Sequence, residues 1–115
     1  MSYDLEVLVK VYGDGGYARI AQPEHSSPTY NLDKMFRKAM NWDFKQGTEY
    51  KCVDIIENIN DGITSLKVYP SHYRKYEPEN KWGTVESAIR DLESLRDCIY
   101  ETAEDIPIEH LYVRW

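Results

Sequence analysis

Thr84-Val85-Glu86-Ser87-Ala88-Ile89-Arg90-Asp91-Leu92-Glu93-Ser94-Leu95-Arg96-Asp97-Cys98-Ile99-Tyr100-Glu101-Thr102-Ala103, followed after Pro107 by Ile108-Glu109-His110-Leu111-Tyr112-Val113-Arg114-Trp115, is the stretch whose reading decides the fold. Its apolar residues change period part-way. Val85, Ala88, Ile89, Leu92, Leu95, Ile99 and Ala103 follow the three-to-four spacing of one helix face, and Thr84 stands before them as an N-cap. Beyond Pro107, Leu111, Val113 and Trp115 alternate with polar neighbours, which predicts a strand with one buried face. An amphipathic helix and a one-sided strand must cover each other, so a mixed fold follows.

Working outward, Tyr3 to Tyr12 also alternate: Leu5, Val7, Val9 and Val11 point one way, Asp4, Glu6, Leu8, Lys10 and Tyr12 the other. Gly13-Asp14-Gly15-Gly16 makes a turn, and Tyr17-Ala18-Arg19-Ile20-Ala21 returns as the second strand of a hairpin. After Pro23 and a loop, Asn31 is placed to cap a helix carrying Leu32, Met35, Phe36, Ala39 and Met40 on its apolar stripe. A second helix is expected from about Tyr50 to about Val68, with Cys52, Ile55, Ile56, Ile59, Ile63 and Leu66 inward. Asn60-Asp61-Gly62 within it could instead be a hairpin turn; the apolar spacing of three to four favours the helix. Pro70 to Gly83 reads as irregular, with one helical turn at Ser71 to Tyr76. The expected architecture is a single α+β domain over residues 1–115. A small antiparallel sheet of about three strands carries helices on one face, in the order β-β-α-α-α-β.

The composition is that of an ordinary globular protein, 42% hydrophobic and 30% charged over 115 residues. Ten tyrosines and three tryptophans are more than usual and suit half-buried rims and binding surfaces alike. No apolar run approaches the roughly 18 residues that span a bilayer. The start Met-Ser-Tyr-Asp-Leu-Glu has neither a basic region nor an apolar signal core, so a cytoplasmic location is expected. Cys52 and Cys98 fall on apolar helical positions and are expected as buried free thiols.

The formal net charge of −6 resides in one segment. From Glu86 to Glu109 there are eight acidic residues against Arg90 and Arg96, while the remaining residues balance. At 100° per residue Glu86, Glu93, Asp97 and Glu104 share a narrow arc of the last helix, with Glu101 beside them, away from the apolar arc. Such a row suits a basic protein groove, such as the nucleic-acid channel of a nuclease; it also reads as a solvated face. The net negative charge argues against nonspecific nucleic-acid binding.

A second candidate surface combines rings and cations. Tyr69-Pro70-Ser71-His72-Tyr73-Arg74-Lys75-Tyr76 and Lys81-Trp82-Gly83-Thr84 bring stacking groups, positive charge and a helix start together. Asn31 with Lys34 and Arg37 offers a further anion site. The candidate ligand set is therefore Tyr30, Asn31, Lys34, Arg37, Tyr73, Arg74, Tyr76, Trp82, Gly83 and Thr84, suited to a nucleotide or cyclic dinucleotide. The competing explanation is that the rings pin a loop to the core.

Catalytic signatures are weak, and the chain reads as a binder. His25, His72 and His110 have no metal-ligand spacing with one another or with the cysteines. Asn58-Ile59-Asn60-Asp61-Gly62 resembles part of a calcium loop, but Ile59 stands where an oxygen belongs and the closing glutamate is missing. Gly13 to Gly16 precede no helix, so they are no phosphate loop, and no nucleophile elbow is present. No catalytic residue, metal or cofactor is assigned.

Tyr30-Asn31-Leu32 leading to Met35, with the aromatic run into Trp82-Gly83-Thr84, resembles a group of small accessory proteins of tailed bacteriophages and prophages. The pattern covers most of the chain. The resemblance implies a phage accessory protein made in the bacterial cytoplasm; it carries no activity, and its motif positions here are Tyr30, Asn31, Trp82, Gly83 and Thr84. The expected function is non-enzymatic inhibition of a bacterial defence system by binding a host protein through the acidic helix. Sequestration of a nucleotide signal through the basic-aromatic segment is the alternative. Self-association through strand edges, with the C-terminal strand pairing to a second copy as a homodimer, is a further one.

Overall fold

The computed structural model describes residues 4–11, 13 and 15–115, so the expectations at Tyr3, Tyr12 and Asp14 lie outside the described residues. Four strands form one antiparallel sheet: β1 (Glu6–Lys10), β2 (Tyr17–Ala21), β3 (Glu49–Lys51) and β4 (Leu111–Arg114), in the spatial order β2-β1-β4-β3. The hairpin forms where alternation and the glycine turn predict it, with the Val11 N–H donating to the Gly16 carbonyl at 2.9 Å. Ladder pairs Val7–Ala21 and Leu8–Arg19 skip Ile20, so β2 carries one extra residue there, a bulge at the sheet edge.

Four helices complete the α+β fold: α1 (Asp33–Met40), α2 (Cys52–Val68), the single turn α3 (Pro70–Tyr73) and α4 (Val85–Ala103). Short 3-10 turns cover Tyr30–Leu32, Arg74–Tyr76 and Ile108–His110. Helix α1 packs on α2, and α2 on α4. Leu5, Val7, Leu111, Val113 and Trp115 on the inward face of the sheet join Phe36, Ile59, Leu92 and their neighbours in one core. No described helix is long and apolar enough to cross a membrane.

Three details differ from expectation. Glu49–Lys51 is a strand and not the start of the second helix, which makes the sheet four-stranded and the order β-β-α-β-α-α-α-β. Three residues carry too little alternation to register as a strand; β4 supplies the ladder that holds them, pairing Tyr50 with Val113. The first helix is capped earlier than predicted. Thr29, in extended conformation, accepts the Asn31 N–H at 3.3 Å and opens the 3-10 turn, so Asn31 lies inside that turn and is not the cap. Finally, β4 runs between β1 and β3 with both edges filled, which removes it as the strand that a second copy would pair with; the outer strands are β2 and β3.

Helix α2 is continuous through Asn60-Asp61-Gly62. Gly62 is buried where α1 and α4 crowd against α2. A Cβ on it would lie 2.6 Å from Met40 Cγ and 3.3 Å from Leu92 Cδ1, so the helix tolerates the poor propensity of glycine to let α1 and α4 come near. Thr84 caps α4 as predicted, with a reciprocal box: its Oγ1 accepts the Ser87 N–H at 3.0 Å, and Ser87 Oγ accepts the Thr84 N–H at 2.8 Å.

Candidate functional site

The two motif segments meet in space, and packing brings them there. Gly83 adopts φ +122°, and a Cβ on it would lie 2.7 Å from Leu32 Cγ and 3.1 Å from Thr29 Cγ2. The turn at Tyr30–Leu32 therefore seats directly against Gly83, with Tyr30 half-buried against the core and Asn31 exposed. Trp82 is held by its N–H donating to Asn80 Oδ1 at 2.9 Å, yet its side chain is 70% exposed.

The cations of the ligand set are less available than the sequence suggests. Arg74 makes a two-pronged bond to Glu86, Nη1–Oε1 at 2.9 Å and Nη2–Oε2 at 2.7 Å, and a further bond to Glu77 at 2.9 Å. These bonds push the Arg74 guanidinium up and hold the Glu86 carboxyl below the usual carboxylate range. Glu77 Oε2 also accepts the Val85 N–H at 2.9 Å. An internal carboxylate thus already occupies the helix start beside Thr84, the place an incoming phosphate would take. Arg37 is committed as well: Nε bonds Asp33 at 2.8 Å, Nη1 bonds Asp43 at 2.8 Å and the Phe44 carbonyl, and the guanidinium lies 4.2 Å above the Phe44 ring. It fastens α1 to the chain that leaves it. Tyr73 is buried, its ring 4.9 Å from His72 and 6.3 Å from Tyr76. Lys34 and Lys75 do come together, their ammonium groups 5.6 and 5.3 Å from the centre of the Tyr76 ring. A groove of about 380 Å³ on α1 is lined by Lys34, Arg37, Lys38, Asn41, Trp42 and Asp43, and so includes Lys34 but neither Lys75 nor Tyr76.

The carboxylates of α4 divide into two groups. Towards the helix start, Glu86 is taken by Arg74, Glu93 is half-buried and bonded to Lys67 at 2.8 Å, and Asp97 pairs with Arg96 at 3.0 Å. Towards its end, Glu101 and Glu104 are exposed and enter no ion pair among the described residues. Glu101 lines a small cleft with Asp97 and Glu24, a loop carboxylate that no local pattern in the sequence links to α4.

One site residue went unrecognised in the sequence. Asp91 is only 3% exposed, the sole buried charged residue among those described. It lines a cavity of about 310 Å³ with Glu24, His25, Ser26, Ser27 and Arg90. Burial pushes its carboxyl up, while Arg90, 3.2 Å away, and His25 pull in the other direction. Its position was available: Ala88, Asp91, Leu92 and Leu95 have the spacing of one face, so an ionisable group sits on the apolar arc. Ser94 Oγ accepts the His25 backbone N–H at 2.8 Å and so ties the loop at His25 to α4. The two cysteines are buried free thiols, and burial pushes Cys52 up to about 12. No group of three or more His, Cys, Asp or Glu among the described residues is arranged to hold a metal ion.

No protein-family model, curated protein or solved structure matches the chain.

Proposed function

We propose that the chain acts by binding: a phage accessory protein of the bacterial cytoplasm that inhibits a host defence system by presenting α4 to a basic groove of a host protein. The observation that carries this reading is the unequal commitment of charge. Glu101 and Glu104 are exposed and without ion pairs among the described residues, whereas Arg74 and Arg37, central to the nucleotide alternative, are bound to carboxylates of the same chain. Glu24 and Asp97 extend the negative surface beside Glu101. The docking face accordingly centres on the second half of the helix, with Glu86 and Glu93 fixing the fold around it. Carboxylates that keep their charge in water steer a basic partner and set its orientation.

A nucleotide remains the second reading, supported by one observation, the ammonium groups of Lys34 and Lys75 near the Tyr76 ring, with Lys34 also lining the groove on α1. Capture of the tagged protein from bacterial lysate, with bound proteins and small molecules both read by mass spectrometry, separates the two. A stoichiometric host defence protein, such as a nuclease, is expected. A co-purifying nucleotide without a protein partner would move the function to Lys34, Lys75 and Tyr76.

A further inference from the structure

The outer face of the sheet, turned away from the helices, bears a different charge from the rest of the molecule. The ladders define its rows. Arg19, Leu8, Tyr112 and Lys51 lie side by side across all four strands, and Tyr17 pairs with Lys10 in the next row. The rings of Tyr17 and Tyr112 meet diagonally across β1, centroids 5.1 Å apart and edge to face at 73°. Leu8 beside them is 1% exposed, outside the helix-side core, and so gives the rings an apolar bed. Lys10, Arg19 and Lys51 are exposed and have no ion pair among the described residues. The acidic residues of this face gather at one end: Glu6 and Glu49 flank Arg114, which bonds Glu49 at 3.0 Å and approaches Glu6 at 3.8 Å, and the exposed Asp4 lines a cleft with Glu6 and Arg114.

We propose that this face binds single-stranded nucleic acid, with bases stacking on the Tyr17–Tyr112 pair and phosphates meeting Lys10, Arg19 and Lys51. The chemistry is complementary at each point. Unpaired bases stack on tyrosine rings without regard to sequence, and the backbone follows cations. Arg19 and Lys51 stand on the outermost strands, three strand spacings or about 14 Å apart, with the rings between them. A duplex keeps its bases stacked inside and cannot use the rings, so the single strand is the better fit. An overall negative charge does not oppose this, because the carboxylates that create it lie on α4 and its flanks, and screening over about 10 Å separates the two surfaces. The inference is independent of the proposed role of α4.

The test is fluorescence anisotropy of labelled oligothymidylate and oligouridylate with the full chain. Three phosphate contacts predict a slope of about −2 in log affinity against log salt, hence a loss of about 20-fold between about 50 and about 200 mM. Arg19→Glu with Lys51→Glu should flatten that slope to about −0.7. Tyr112→Ala should weaken binding about 5-fold or more, while Tyr112→Phe retains it, which separates stacking from loss of fold. Glu101→Lys with Glu104→Lys should leave it in place. The proposal is overturned if neither oligonucleotide binds at low salt, if the Arg19 and Lys51 reversals change nothing, or if a polyglutamate peptide binds this face as tightly as the oligonucleotides do.

Discussion

Gly83, with φ +122° and Leu32 Cγ only 2.7 Å from where its Cβ would be, is the residue on which the contact between the two motif segments depends. Alanine there meets both a left-handed backbone and a clash at 2.7 Å, so Gly83→Ala should destabilise the protein by about 2 kcal/mol in urea unfolding. The glycine was legible as a loop marker ahead of a helix, but its packing role was not, since Leu32 is distant in sequence. Asp91 makes the opposite case: its spacing from Ala88, Leu92 and Leu95 carried the signal of burial, but as a charged residue it was left off the apolar arc. Because burial raises its folded-state pKa, the folded chain holds the proton to higher pH than the unfolded one does. Stability from this group is therefore full below the ordinary aspartate value of about 3.9 and is lost as pH rises through the raised folded value. Asp91→Asn should accordingly gain on the wild type over the range above about pH 4 in which the buried carboxyl loses its proton, measured as the difference in unfolding free energy. A constant difference across that range would contradict the assignment.

Periodicity located α1, α2 and α4 because each turns a continuous apolar stripe to one core, and it located β1 and β4 because each alternates, while β2 followed from the glycine turn that returns the chain as a hairpin. It missed β3 for a physical reason. Glu49-Tyr50-Lys51 has one inward residue, and its strand character comes from the partner β4 rather than from itself. Gly62 shows the same dependence within a helix. Local propensity argues for a break, yet α2 continues because a larger residue would drive Met40 and Leu92 away. Gly62→Ala should consequently destabilise by about 1–2 kcal/mol, overriding the gain of about 1 kcal/mol that alanine brings to an isolated helix. Thermal unfolding monitored at 222 nm decides this: a rise in Tm would mean that the helices have room to spare. The Arg37 fastening of α1 was likewise invisible, since Asp43 and the Phe44 carbonyl come within reach only after the helix ends at Asn41, φ 49°.

At the scale of the molecule, charge is sorted by surface. Carboxylates gather on α4, and three cations lie unpaired among the described residues on the outer face of the sheet. The acidic row was legible as composition and helical angle. Its internal pairing was not, because Arg74 and Lys67 approach Glu86 and Glu93 from other elements. That pairing shifts the proposed docking face towards Glu101 and Glu104. The most direct measurement is the affinity of the captured host protein for the wild type and for Glu101→Lys with Glu104→Lys, at low and moderate salt. The account predicts a loss of at least about 10-fold for the double reversal, with helical content unchanged and the wild-type affinity falling with salt. Equal affinity of the two proteins, with binding lost instead on Lys34→Ala and Lys75→Ala, would contradict it.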